Sequence, residues 1–110
     1  MIIGCCSIKF YLHGNQSLKG KRQVVRSIKD RLKNNFNVSV AEVGDQDNWK
    51  SLHIGISAVG SDRPYIDGLL TKVVDAIDRM NLAEITDCKT ETMNIGSGNF
   101  WKTRYFHAIQ

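Results

Sequence analysis

Proline is nearly absent from this chain: Pro64 is the single one among 110 residues, which excludes a Pro-rich linker or a polyproline module. Cysteine is sparse and odd in number. Cys5, Cys6 and Cys88 show no C-x-x-C and no paired Cys/His spacing, so neither a disulfide scaffold nor a zinc site is expected. Neighbours on a strand point to opposite faces, so Cys5 and Cys6 are badly placed to bridge each other, and reduced thiols in a cytoplasmic protein are the expectation. Long apolar runs are missing as well: no uncharged stretch approaches the ~20 residues of a membrane helix. The opening MIIGCCSIKF has no positive leader, long apolar stretch or cleavage site, so no secretory signal and no membrane partner are expected. Acids are the last scarcity. Residues 1–35 carry eight Lys/Arg against the lone Asp30.

What remains is an ordinary globular composition, 42% hydrophobic and 24% charged, long enough for one domain with its own core. The net charge of +4 is unevenly spread, because residues 36–93 hold ten acids against five bases. A positive first third points to an anionic partner; a solvated helix face is the plainer alternative.

Apolar and polar positions alternate over Ile2–Leu12, the period of a half-buried strand. His13-Gly14-Asn15-Gln16 is a loop, and Ser17 suits a helix N-cap. Leu18, Val25, Ile28 and Leu32, with Val24 beside them, supply the buried stripe of a first helix ending at Asn34-Asn35. Lys19, Arg22, Arg26, Lys29 and Lys33 follow steps of three and four. At ~100° per residue they occupy an arc of about 80°, centred roughly 115° from the apolar stripe. Phe36–Val43 is rich in β-branched residues and reads as a second strand. The polar cluster Gly44–Asn48 turns the chain into a third, whose Leu52, Ile54, Ile56 and Ala58 alternate with His53, Gly55, Ser57 and Val59. Ser61-Asp62-Arg63-Pro64 opens a second helix with Ile66, Leu69, Leu70, Val73, Val74, Ile77 and Met80 at helical spacing. Ile85–Met93 closes the set as a more polar strand, with Thr86, Cys88, Thr90 and Thr92 on one face.

This β-α-β-β-α-β order predicts an α+β, ferredoxin-like domain over residues 1–93. Its four-stranded antiparallel sheet should carry both helices on one face, with the first and third strands central. Cys6 and Cys88 should then meet on the helix side. The other face should stay open and show Cys5, Ser7, Lys9, Tyr11, His53, Gly55, Ser57, Asp87, Lys89 and Glu91. Residues 94–110 form an aromatic C-terminal extension, in which Phe100, Trp101, Tyr105 and Phe106 suit an extra strand, a cover for the open face or a homodimer contact.

The basic row on the first helix is the strongest functional signal. Lys19, Lys21, Arg22, Arg26, Lys29 and Lys33 are the candidate nucleic-acid-binding residues, since helix-borne cations can follow a phosphate backbone and release its counterions. Gly14–Arg22 superficially suggests a phosphate-binding loop, but its spacing is one residue too long and Arg22 stands where Ser or Thr should hold magnesium. An oxyanion at the helix start, and plain capping by Ser17, are the two readings of that segment. Stacking of RNA bases on the open face is not expected, because Tyr11 has no aromatic companion on the third strand. His13, His53 and His107 are scattered, and no nucleophile elbow, HExxH or paired carboxylates occur. Asp45 and Asp47 offer at most a weak cation site, and a polar turn anchored by a partly buried Trp49 is the alternative. No metal, cofactor or small-molecule ligand is expected.

Three segments in order, Ser17-Leu18-Lys19-Gly20-Lys21-Arg22, Phe36–Val43 (FNVSVAEV) and Gln46-Asp47-Asn48-Trp49, resemble the YlxP-like family of small bacterial proteins. The resemblance covers residues 1–93 and implies a ferredoxin-like fold. It also implies, by the genes that commonly adjoin the family's, a place near RNA or the ribosome. Gly20 departs from the family's usual glutamate, which would complete a capping box with Ser17. The aromatic tail lies outside the pattern. The expectation is a non-enzymatic, RNA- or ribosome-associated accessory factor. A homo-oligomeric interaction module and a small hydrolase of an anionic substrate are the other readings. Acylphosphatases share the size and topology, but the arginine they carry after the first strand has no counterpart in His13–Ser17.

Overall fold

The computed structural model describes residues 1–96; the aromatic positions Phe100, Trp101, Tyr105 and Phe106 lie outside them. The element order is β1 (Ile2–Tyr11), α1 (Leu18–Asn35), β2 (Ser39–Gly44), β3 (Ser51–Gly60), α2 (Arg63–Met80) and β4 (Glu84–Asn94). The strands form one antiparallel sheet in the order β2-β3-β1-β4, so β1 and β3 are central and β2 and β4 are edges. This is the expected ferredoxin-like arrangement, with both helices on one face.

Alternation along the central strands makes the core. Ile8, Leu52 and Ile54 are completely buried from the sheet, and Ile66, Val73, Ile28 and Leu32 meet them from the helices. Each such side chain contributes about 1.5–3 kcal/mol by leaving water. Helix α2 lies over β1, β3 and β4, and α1 lies over β2. The close seat of α2 depends on Gly4: a Cβ there would stand 2.5 Å from Ile66 Cγ2 and 2.9 Å from Leu70 Cδ1. Both helix starts are capped as their residues suggest. Ser17 Oγ accepts from the Gly20 amide at 3.0 Å and Asp62 Oδ2 from the Tyr65 amide at 2.9 Å. Asn81, left-handed at φ 51, ends α2.

Two details depart from the expected boundaries. Strand β2 begins at Ser39 rather than Phe36, because Phe36 closes α1 through its amide to Leu32 O (2.8 Å) and is turned onto the core. In β4 the register shifts opposite Lys9 and Phe10, so Ile85 rather than Thr86 pairs with Phe10 and packs on the core. Thr86 is exposed and gives its hydroxyl to Lys9 O (3.2 Å). Beyond the shift Cys88 returns to the helix side, where its Sγ lies 4.0 Å from that of buried Cys6. Burial first, then the Cys88 thiol beside it, pushes the Cys6 thiol from 9.0 up to about 12. No helix among the described residues is long and apolar enough to cross a membrane.

Candidate nucleic-acid interface

Helix α1 covers an edge strand, so one of its flanks has no neighbouring helix. That flank carries the basic row. Lys19, Arg22, Arg26 and Lys33 are exposed and Lys29 is half-buried. The row rises over about 21 Å at 1.5 Å per residue. Only two ion pairs occur among the described residues, His13–Glu84 and Lys21–Glu42, so none of these five cations is paired with a described carboxylate. A groove of ≈ 650 Å³ runs beside them, with Leu18, Arg22, Val25, Arg26, Lys29 and Lys33 on the helix wall. Glu42 of β2 and Gln46 and Asp47 of the following turn form the opposite wall, and Asp30 also reaches the groove. Excess positive charge thus faces an edge strand through an open channel.

Lys21 is a correction to the expected site. Its side chain is buried, with 2% of the residue exposed, and is not available to phosphate. The ammonium donates to Asn48 O at 2.7 Å and to Asp45 O, and stands 3.1 Å from Glu42 Oε2. That carboxylate oxygen is itself buried and meets the ammonium as an ion pair at that distance rather than as an aligned hydrogen bond. A signal for this was present in the sequence: residue 21 lies four before Val25 and seven before Ile28, on the inward stripe and off the cationic row. Leu18, the other end of that stripe, is 40% exposed and lines a hollow with the turn residues Asp45 to Trp49.

The β2–β3 turn is therefore held by α1. Besides the Lys21 contacts, Asn15 Nδ2 donates to Ser17 O (2.9 Å) and to Trp49 O (2.5 Å), tying the loop before α1 to the turn. Gly20 has a function here that its departure from the family pattern did not suggest. A Cβ at that position would collide with the Asn15 amide. Trp49 is 46% exposed and lines a second hollow of ≈ 770 Å³ with Leu18, Asp45, Gln46, Asp47 and Asn48. The Lys21 ammonium takes the carbonyls of Asp45 and Asn48 in this turn, and no group of three metal-ligating side chains occurs among the described residues. At the helix start Ser17 Oγ caps the Gly20 amide.

The open sheet face is the other place where polar groups meet. Ser7 Oγ and His53 Nε2 are 2.7 Å apart, beside a hollow of ≈ 480 Å³ whose floor is small residues, Cys5, Ser7, Ala41 and Gly55. No carboxylate is hydrogen-bonded to His53 among the described residues, so the imidazole lacks the orienting acid of a catalytic triad. His13 pairs instead with exposed Glu84 at 3.0 Å and stands edge-on to Tyr11, with ring centroids 4.6 Å apart. His107 lies outside the described residues. Of the two described histidines, His13 pairs with Glu84 and His53 with Ser7.

Comparison with solved structures gives a likeness of fold. A protein described as YJCS has 7% identity at a TM-score of 0.50, covering 84% of this chain and 99% of that one. A VAO-type flavoprotein from Myceliophthora thermophila gives 18% identity and 0.51 over 96% of this chain and 18% of that one. Acylphosphatase from Bacillus subtilis gives 17% identity and 0.45 over 90% and 92%. Sequence comparison says more. The uncharacterized protein YlxP of Bacillus subtilis (strain 168) is 38% identical over 90 residues, 82% of this chain and 98% of that protein. The model of the family described as "Protein of unknown function (DUF503)" matches residues 3–90, the whole of the sheet-and-helix unit up to β4. The chain thus belongs to the DUF503 family, which is also that of YlxP.

Proposed function

We propose that this protein is a cytoplasmic RNA- or ribosome-associated accessory factor that holds a phosphate backbone along α1 through Lys19, Arg22, Arg26, Lys29 and Lys33. One observation carries the reading: five cations share a helix flank beside a groove, and among the described residues no carboxylate pairs with any of them. Cations in a row without an ion-pair partner attract a polyanion and displace its condensed counterions on binding. Lys21 has no part in this contact. The test is filter binding of the full chain to a structured RNA at several salt concentrations. If all five cations meet phosphate, log affinity falls with log salt at a slope of about −4.5 on a duplex, and two fewer contacts in Arg22→Glu/Arg26→Glu make it less steep by about 2. Affinity indifferent to salt, or intact in the double variant, removes the proposal.

A second reading, self-association, has its own observation. Ile3 pairs with Val59 on one side and Met93 on the other across the open face, and the latter two are 60% and 39% exposed. Such an apolar row suits a copy of the same chain. Light scattering on the full chain and on Val59→Asp/Met93→Asp decides it: a dimer that dissociates in the variant supports the reading, and a monomer in both ends it.

A further inference from the structure

The hollow around Trp49 adjoins the basic groove, and Leu18, Gln46 and Asp47 line both. The two have opposite chemistry. The groove has cations at helical spacing; the hollow has an exposed indole, an exposed leucine, carboxylates and amides. A phosphate is attracted to the first and repelled by Asp45 and Asp47 in the second. A nucleobase suits the second: its π-face can lie on the indole, and its amino hydrogens can be accepted by a carboxylate such as Asp47. We propose that Trp49 is a stacking platform for one unpaired base of the RNA strand whose phosphates follow α1, so that the ligand is single-stranded or looped rather than duplex. This rests on the phosphate-binding reading of α1 and adds to it the kind of strand selected.

The placement of Trp49 supports the assignment. Its turn is held from two sides, by the buried ammonium of Lys21 on Asp45 O and Asn48 O and by Asn15 Nδ2 on Trp49 O. Leu12 N to Lys50 O (2.8 Å) and Lys50 N to Asn48 Oδ1 (2.9 Å) fix the residue that follows. Burying a lysine is costly unless its charge and protons are matched, and here they are matched by groups that carry an exposed tryptophan. A base stacked on an indole set in a fixed frame loses little further entropy on binding. In a duplex both faces of every internal base are already stacked, so only an unpaired base can use the platform.

The experiment uses the full chain carrying Trp101→Phe, which leaves Trp49 as the only indole. It is titrated with a ten-nucleotide single-stranded RNA and with the duplex formed by that RNA and its complement. Indole fluorescence reports the platform, and anisotropy of dye-labelled RNA reports affinity. The single strand is expected to quench Trp49 and to bind more tightly than the duplex. Trp49→Ala should weaken single-strand binding roughly tenfold to a hundredfold, Trp49→Phe should restore most of it, and duplex binding should be unchanged in both. The Phe variant separates stacking from any structural role, because it keeps an aromatic ring in the same turn. Salt-dependent binding with no quenching, or with Ala equal to Trp, overturns the platform and leaves the α1 contact standing. No salt-dependent binding of either RNA overturns both.

Discussion

Helices α1 and α2 are each 18 residues long and lie on the same sheet face, yet they are built on different terms. Helix α2 buries Ile66, Leu70, Val73 and Ile77 over the two central strands and the β4 edge. Helix α1 buries Ile28 and Leu32 over an edge strand, and its third buried side chain is a lysine. The difference follows from position in the sheet. Apolar side chains of central strands and of the helix above them cover each other, so apolar contact suffices. At the β2 edge the sheet ends, and polar groups of the edge strand and its turn come under the helix. A buried ammonium satisfies them where a leucine would leave carbonyls unpaired. The same termination of the sheet leaves the outer flank of α1 free to carry cations. A mainly core-forming helix and a helix with an open cationic flank are thus distinguished by which strands they cover.

The largest effect should come from removing the polar anchor of α1. Lys21→Met leaves Glu42 Oε2 buried beside an apolar chain and takes the donor from two turn carbonyls. The Glu42 side chain keeps 25% exposure, which holds the expected loss near the low end for a broken buried pair, about 3 kcal/mol in urea unfolding. Unchanged stability would mean that α1 and α2 are held alike. The matching attack on α2 is Gly4→Val, which forces a branched side chain into Ile66 and Leu70. Overpacking of this kind should cost about 2 kcal/mol, read as a lower urea midpoint with RNA affinity of the folded protein unaltered.

An effect confined to alkaline pH concerns the central strands under α2. The Cys6 thiol is raised from 9.0 to about 12, chiefly by burial. Below pH 9 both folded and unfolded thiols are protonated, and the group leaves stability independent of pH. Between pH 9 and 12 the unfolded chain loses the proton and the folded one keeps it, so stability falls as pH rises through that window. Cys6→Ala should flatten that part of the stability–pH profile; an unchanged slope would assign it to other groups. The smallest effect is expected from reversing charge on the other helix. Lys72→Glu/Arg79→Glu on α2 should leave both RNA affinity and its salt slope unchanged, because neither residue lies on the α1 groove. A loss equal to that of Arg22→Glu/Arg26→Glu would show that net charge, and not the α1 flank, attracts the RNA.

The order of elements, the central position of β1 and β3 and the cationic row were legible in the sequence. The elements and the cationic row depend on a local period, two for Ile2–Leu12 and 3.6 for Leu18–Leu32, written by near neighbours, and the central strands follow from the topology that their order implies. The meeting of Cys6 and Cys88 followed from strand order once the topology was clear. Thr86 was misplaced because a register shift adds one residue to an alternation that looks uninterrupted. The lysine at 21 was grouped with its basic neighbours, although its spacing from Val25 and Ile28 already assigned it to the inner stripe.

By itself, then, the sequence determined which segments are strands and helices, which stripe of each is apolar and which flank of α1 is positive. Only the tertiary structure decided that Lys21 faces inward, that the basic flank borders a groove, and that Trp49 stands outward at its end. Those outcomes depend on residues 21 to 34 positions apart, such as Lys21 with Glu42, Asp45 and Asn48 and Asn15 with Trp49. An ammonium is stable in the interior only where carbonyls and a carboxylate converge on it, and that convergence exists only after the β2–β3 turn has folded against the start of α1.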